Sequence, residues 1–266
     1  MGRIADELSP VGLSVVVPAF NEAEVIQSVV EEAVARLRDI TPNFEVIAVD
    51  DGSTDGTGRI VELLMGRDPH VRLVTQSSNR GYADALRTGF EASQFGLVAF
   101  TDADGQFDLA DLRQMIPTAL RVGLAVGYRA DRQDPWLRKL YSRGYNLLAR
   151  ALCGTRARDC DCALKVFRRD VLHALWPRSR GYFVNTEMLT RARQLGLPLV
   201  EFPVTHRPRR GGVSKVSIRE IPRVARMLIS FWWRHVLFGA KPMPIPANVF
   251  AAKIAVPEPS AVARAA

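Results

Sequence analysis

Asp102 and Asp104 stand one residue apart, immediately after the apolar run Leu97-Val98-Ala99-Phe100. On an extended segment, side chains two apart project to the same side, so both carboxylates can face one ion. Left unpaired they repel, and one of them tends to hold a proton near neutrality. A hard divalent cation removes that penalty, and oxygen ligands suit Mg2+ or Mn2+. Mg2+ characteristically keeps waters and takes one or two carboxylates together with substrate phosphates. Gln106, two residues further on, adds a neutral oxygen. The spacing therefore predicts a site for a metal-bound diphosphate.

Two other polar clusters follow apolar runs in the same way, Pro18-Ala19-Phe20-Asn21-Glu22 and Asp50-Asp51-Gly52-Ser53-Thr54-Asp55-Gly56. Each has a local explanation: Asn21 as a helix N-cap, Asp-Gly as a turn. Ligands of open α/β sheets bind beyond the carboxyl ends of the strands, and all three clusters fall there, which turns alone do not account for. Two phosphate-binding motifs are excluded. Gly52, Gly56 and Gly58 do not have the dinucleotide-fingerprint spacing, and no Gly-Lys-Ser/Thr forms a P-loop.

The elements that must position these residues are legible as apolar runs alternating with amphipathic stretches. Strands are expected at Leu13–Val17, Glu45–Val49, Val71–Thr75, Leu97–Thr101 and Leu124–Gly127. Helices are expected near Glu22–Leu37, Gly56–Leu64, Gly81–Ala92 and Leu109–Leu120. Apolar runs without alternation indicate an α/β fold with a mostly parallel central sheet and helices on both faces. After Arg129 the rhythm changes to helix (Trp136–Leu152), strand (Leu164–Arg168), helix (Thr186–Leu195) and strand (Leu199–Thr205), with many more arginines. Residues 1–216 are expected to form the catalytic domain. Residues 217–238 form a basic amphipathic helix, with Ile218, Ile221, Ala225, Leu228, Ile229, Trp232 and Val236 on one face and Arg219, Arg223, Arg226, Ser230 and Arg234 on another. Such a helix reads either as a membrane-surface helix or as one packed on the domain with a solvated basic face. The Pro/Ala-rich residues 239–266 read as a flexible tail.

The 266 residues carry a net charge of +8, which favours anionic partners such as nucleotides, phospholipid or nucleic acid. No nucleic-acid motif accompanies the charge, so a nucleic-acid partner is not expected. Three cysteines make no disulfide framework, and Cys160-x-Cys162 lacks the second ligand pair a zinc site needs. The first ten residues, MGRIADELSP, have no apolar signal core, and no run of about 18 apolar residues is present. The expected location is cytoplasmic.

Read in order, VVVPAFNEAEVI, VDDGSTDGT, NRGYADALRTGF and FTDADGQFD resemble the family 2 glycosyltransferases. The second half is similar to the polyprenyl-phosphate hexosyltransferases, of the dolichol-phosphate mannose synthase type. The residues concerned are Gly127-Tyr128-Arg129, Ser142-Arg143-Gly144-Tyr145-Asn146, Asp159–Lys165 with Phe167-Arg168, Glu187-Met188, and Arg209-x-x-Gly212-x-Ser214-Lys215. The resemblance runs from about Ser14 to Ser217. It implies a GT-A type fold, a GDP- or UDP-hexose donor and Mg2+ or Mn2+. It also implies a polyprenyl phosphate acceptor at the cytoplasmic face of the membrane; many such relatives append transmembrane helices or recruit membrane subunits, whereas this chain offers the amphipathic residues 217–238 for peripheral contact. By the same resemblance, Pro18, Phe20, Glu22, Asp50, Asp51 and Asp102 contact the donor nucleotide, and Asp102, Asp104 and Gln106 hold the metal. Arg129, Ser142, Arg143, Arg209, Ser214 and Lys215 engage phosphate, and Asp102, Asp104, Arg129 and Arg143 make up the catalytic set. Ala163 departs from the glycine of several relatives, and Asp159-Cys160-Asp161-Cys162 is unlike the best-known members.

The chemistry is consistent with these roles. A sugar leaves a diphosphate when the charge on the leaving oxygens is neutralised by metal and Arg or Lys. An acceptor phosphate is already anionic at pH 7 and needs no general base, which predicts a single inverting displacement oriented by guanidinium forks. A soluble hydroxyl acceptor, a sugar or natural product, would instead need a carboxylate base. Asp131, Asp159, Asp161 and Glu187 are available for that, with Asp159 and Glu187 as the leading candidates. A sugar-1-phosphate nucleotidyltransferase would need a glycine- and lysine-bearing phosphate loop near the N-terminus, which is missing here.

Overall fold

The computed structural model of the chain describes residues 11–133, 136–211 and 221–238. Seven strands are present: β1 (Leu13–Ala19), β2 (Phe44–Asp50), β3 (Val71–Thr75), β4 (Leu97–Phe100), β5 (Leu124–Arg129), β6 (Lys165–Arg168) and β7 (Glu201–Val204). They form one sheet in the order β3-β2-β1-β4-β6-β5-β7. Every residue of β1, β2 and β4 is buried. A strand with no exposed residue must be covered on both faces, which is why these runs show no alternation.

The helices are α1 (Ile26–Arg38), α2 (Thr57–Met65), α3 (Tyr82–Ala92), α4 (Leu112–Val122), α5 (Trp136–Cys153), α6 (Arg169–Ala174), α7 (Val184–Gln194) and α8 (Ile221–Phe231). One helix-to-sheet contact is especially close. A Cβ built on Gly89 of α3 would stand 2.2 Å from a methyl of Val16 in β1 and 3.1 Å from one of Val49 in β2.

Pairing is parallel everywhere except at β6, which runs antiparallel to both β4 and β5. The carboxyl ends of β1, β2, β4, β5 and β7 therefore share one edge with the amino end of β6. Ala19 pairs with Asp50, and Phe100 with Lys165.

The expected elements are present with shifted ends. α1 starts at Ile26 rather than Glu22, because Asn21 has a left-handed φ of +50° and the carbonyl of Glu22 accepts from Val25 and Ile26. Leu109–Asp111 is a 3-10 turn whose first amides are held by Asp108, and the α-helix begins only at Leu112. α6 and a 3-10 turn at Gly181–Phe183 were not expected. Each is under two turns, too short for a periodic signal. The expected helix 217–238 is described only from Ile221, and it ends in a π-helical turn at Trp232–Leu237. The boundary at 216 and the tail 239–266 lie outside the described residues.

α8 docks through a small second core. Leu228 and Phe231 are buried with Cys153 of α5 and Phe183, and the Phe183 and Phe231 rings meet edge to face at 5.2 Å. Leu228 of the expected apolar face is thus inside, Trp232 and Val236 are half-buried, and Ile229 is exposed.

Candidate active site

The rim loops are bound to one another before any ligand is considered. The amide of Asn21 donates to Ser53 Oγ (2.9 Å), the amide of Thr54 donates to Asn21 Oδ1 (2.8 Å), and the amide of Glu22 donates to Thr57 Oγ1 (2.9 Å). Asn21 therefore joins two loops instead of capping α1. Asp51 carries the third loop, accepting from the amides of Arg80 (2.7 Å) and Gly81 (2.8 Å). Asp50 takes a turn-forming role, accepting from the amide of Ser53 at 2.9 Å, and it does not line the cleft.

Asp102 and Asp104 follow β4 and line the cleft together with Pro18, Phe20 and Glu22. Gly105 has φ +70°, and a Cβ there would meet Arg210 Cδ at 2.9 Å, so the turn after Asp104 requires glycine. Asp104 accepts from the amide of Gln106 (3.1 Å) and faces Arg209 Nη2 at 3.3 Å. Gln106 gives its side-chain nitrogen to the carbonyl of Arg207 (3.1 Å), which leaves its oxygen for other use. Burial, and then the charge of Asp104, push Asp102 up to about 7.

Two carboxylates and an amide oxygen at one rim, with one carboxyl reluctant to ionise, fit a hard divalent cation. Among the described residues no cluster of three or more His, Cys, Asp or Glu side chains could hold a metal alone. The donor set thus matches an ion that completes its shell with water and substrate phosphate rather than a closed protein cage.

On the other wall, Arg129 at the end of β5 makes a two-pronged ion pair with Asp159, Nε to Oδ2 at 2.6 Å and Nη2 to Oδ1 at 2.8 Å. Burial opposes the charge of Asp159, but the Arg129 hydrogen bonds outweigh it and hold the carboxyl below its usual range. Burial likewise works against Arg129, and Asp159 more than offsets it, raising the guanidinium pKa. Arg132 donates to Ser142 Oγ at 2.5 Å, and both line the cleft. Arg143 is exposed on α5 and lies outside the cleft lining. Glu187 is buried, accepting from the amides of Arg178 (2.9 Å) and Ser179 (2.7 Å) and pairing with Arg191 at 2.7 Å. Ser214 and Lys215 lie outside the described residues.

Some lining residues were named only in passing from sequence or not at all, Asp161 having stood behind Asp159 and Glu187 as an available base. Asp161 lines the cleft, and burial together with the charge of Asp159 raises it to about 6. Tyr82, Arg178, Arg180 and His206 also line it. Tyr82 lies within NRGYADALRTGF and Asp161 within Asp159–Lys165, but nothing local distinguishes them from their neighbours.

The cleft is about 1710 Å³ and runs from the Asp102/Asp104 rim past Arg129 and Ser142 to α5 and α8. At that end Leu140, Tyr141, Leu148, Leu228 and Phe231 are among the lining residues.

A family model described as glycosyl transferase family 2 matches residues 14–176. Over 84% of its length the chain is 34% identical to a protein named glycosyltransferase AglD from Haloferax volcanii, covering 37% of that protein. Over 79% of its length it is 30% identical to undecaprenyl-phosphate 4-deoxy-4-formamido-L-arabinose transferase from Proteus mirabilis, covering 64% of it. The chain thus spans between about one third and two thirds of the length of these relatives. Among solved structures it is similar to glucosyl-3-phosphoglycerate synthase from Mycobacterium tuberculosis in complex with Mn2+, UDP and glucosyl-3-phosphoglycerate. The TM-score is 0.68 at 22% identity, covering 92% of this chain and 85% of that one.

Proposed function

The chain belongs to glycosyltransferase family 2 and has a GT-A type fold, and on that premise we propose the following reaction. The enzyme moves a hexose, mannose or glucose, from a nucleoside diphosphate to a polyprenyl phosphate with inversion, at a membrane surface. The observation that carries this reading is the single continuous cleft of about 1710 Å³. Small-molecule sites run to roughly 300–1,000 Å³, so a nucleotide sugar leaves room for a second substrate. The named substrate of the Proteus mirabilis relative, an undecaprenyl phosphate, supports the same acceptor class.

In this reading Asp102, Asp104 and Gln106 hold a divalent cation, Mg2+ or Mn2+. When bound, such an ion supplies charge neutralisation to the leaving diphosphate. Pro18, Phe20, Glu22 and Asp51 surround the nucleotide. Arg209, beside Asp104, is placed to compensate phosphate charge on the donor side. Arg129, locked in position by Asp159, and Arg132 with Ser142 are placed to orient the acceptor phosphate. Because that phosphate is already an anion, no residue has to remove a proton from it.

The acceptor's apolar chain needs an apolar path to the bilayer. No helix among the described residues is long and apolar enough to cross a membrane. What α5 and the π-helical turn after α8 offer instead is exposed aromatic surface: Trp136 is 74% exposed, Trp233 55% and Phe238, just past the turn, 67%. Aromatic side chains on a basic protein suit the interface of an anionic membrane.

Radiolabelled sugar recovered in an organic-extractable, mild-acid-labile product is the expected result with polyprenyl phosphate, Mg2+ or Mn2+ and the correct donor. No such product from any common nucleotide sugar would overturn the assignment. A thermal-shift panel of nucleotides with Mn2+ identifies the donor, since a ligand at 100 times its Kd stabilises by about 2.7 kcal/mol. That shift should shrink in Asp104→Asn.

A second reading keeps the donor site and uses a soluble hydroxyl acceptor. It is favoured by Asp161, a cleft carboxylate raised to about 6 and so suited to take a proton near neutrality. Asp159 and Glu187 are held in ion pairs and backbone contacts. A loss of roughly 10²–10⁴-fold in rate in Asp161→Asn would support this reading.

A further inference from the structure

The segment Arg207-Pro208-Arg209-Arg210 follows β7 and carries three guanidinium groups in four residues. It belongs to no helix or strand, so side chains and a few main-chain bonds must set its path. Two bonds join its start to the turn after Asp104. The amide of Arg207 donates to the carbonyl of Gln106 (2.7 Å), and the Gln106 side-chain nitrogen returns a bond to the carbonyl of Arg207 (3.1 Å). Pro208 has no amide to donate. The amide of Arg210 stands 3.5 Å from the carbonyl of Asp104, a long contact. Main-chain bonding alone therefore holds the segment loosely past Arg207.

The three like charges are sorted by their partners. Arg207 donates to Glu32 Oε1 of α1 (2.6 Å) and, with its other terminal nitrogen, to Asp108. Arg210 donates to Glu32 Oε2. Arg36, one turn along α1, faces the same Asp108 at 3.3 Å. Glu32 thus grips one arginine on each side of Arg209. Burial opposes the charge of Glu32, but the hydrogen bonds from Arg207 and Arg210 outweigh it and hold the carboxyl below its usual range. Arg209 turns to the rim instead, with Nη2 3.3 Å from Asp104 Oδ2 and 3.9 Å from Glu22 Oε1. It lines the cleft, whereas Glu32, Arg207 and Arg210 do not. Its Nε is buried with no hydrogen-bond partner among the described residues. A buried donor left unpaired is costly, and a phosphate oxygen would satisfy it. Partly exposed ion pairs like those of Glu32 add little to stability, so what they chiefly set is where Arg209 stands.

We propose that Glu32 is a positioning residue: by holding Arg207 and Arg210 against α1 it fixes the 207–210 segment so that Arg209 meets the diphosphate of the donor. The inference rests on a nucleoside diphosphate binding at the Asp102/Asp104 rim.

The test compares nucleoside diphosphate with monophosphate, UDP with UMP and GDP with GMP, by titration calorimetry of the full chain with Mn2+. The melting temperature without ligand is measured alongside. Glu32→Ala should weaken the diphosphate about tenfold, the scale of one hydrogen bond to a charged group, and leave the monophosphate near its wild-type affinity. A merely structural role would weaken both alike. Arg209→Ala should show the same selective loss, and the double variant no more than the larger single loss, because the two residues act in series. Equal losses for both ligands in Glu32→Ala, no loss at all, or full multiplication in the double variant would overturn the proposal while leaving the donor site intact. If Glu32→Ala does not fold, Glu32→Gln, which keeps the shape and removes the charge, decides by the same comparison. Absence of nucleotide binding by the wild-type chain would remove the donor reading and the role of Glu32 with it.

Discussion

The side chains of the cleft divide by what holds them. Asp159 and Glu187 were the carboxylates picked as bases from sequence, and each is engaged by partners remote in the chain or by backbone amides. Asp161, two residues from Asp159, is the one left facing the cleft with a carboxyl raised to about 6. Its folded value lies above the ordinary 3.8, so it favours the native state fully below about 3.8 and loses that contribution as pH rises through about 6. The melting temperature of wild type relative to Asp161→Asn should therefore fall between pH 4 and 6 and level off above, an effect on the order of 3 kcal/mol at most. A flat difference across that range would mean that Asp161 is solvated as an ordinary carboxylate. The placing of Asp102 and Asp104 together on the rim was legible because its signal is local, two like charges at a strand end. The separation of Asp161 from Asp159 was not, because Arg129 sits 30 residues from its partner.

At the scale of elements, the β/α alternation of the first half was readable from apolar runs, and the strand ends moved by at most two residues. The reversal of β6 was not readable. A four-residue strand buried on both faces has the same composition in either direction, and its register is set by β4 and β5 together. That reversal brings Lys165 to the rim. The contact of α3 with the sheet yields a stability prediction. Gly89→Ala forces a methyl against Val16 and Val49, and overpacking of this kind costs about 1–3 kcal/mol. Chemical denaturation should show a lower midpoint with an unchanged m-value. A wild-type midpoint would show that α3 can slide outward without loss.

For the whole molecule, the Asp102/Asp104 rim and apolar side chains of α5 and α8 line one cleft. If these helices carry the enzyme to a membrane, replacing Trp233 and Phe238 with serine removes two exposed aromatics worth about 1.5–3 kcal/mol each when buried. Sedimentation with anionic vesicles should weaken by at least tenfold, while the thermal shift with nucleotide and Mn2+ is kept. Equal sedimentation of variant and wild type would place the membrane contact elsewhere. The sequence by itself determined the family, the parallel sheet, the acidic rim and the basic second half, because motif order, apolar periodicity and charge are properties of neighbours along the chain. Tertiary structure alone decided which arginine meets which carboxylate, and that Asp50 and Arg143 stand outside the cleft lining. Those pairings join residues tens of positions apart, and only the closing of the sheet sets the distances between them.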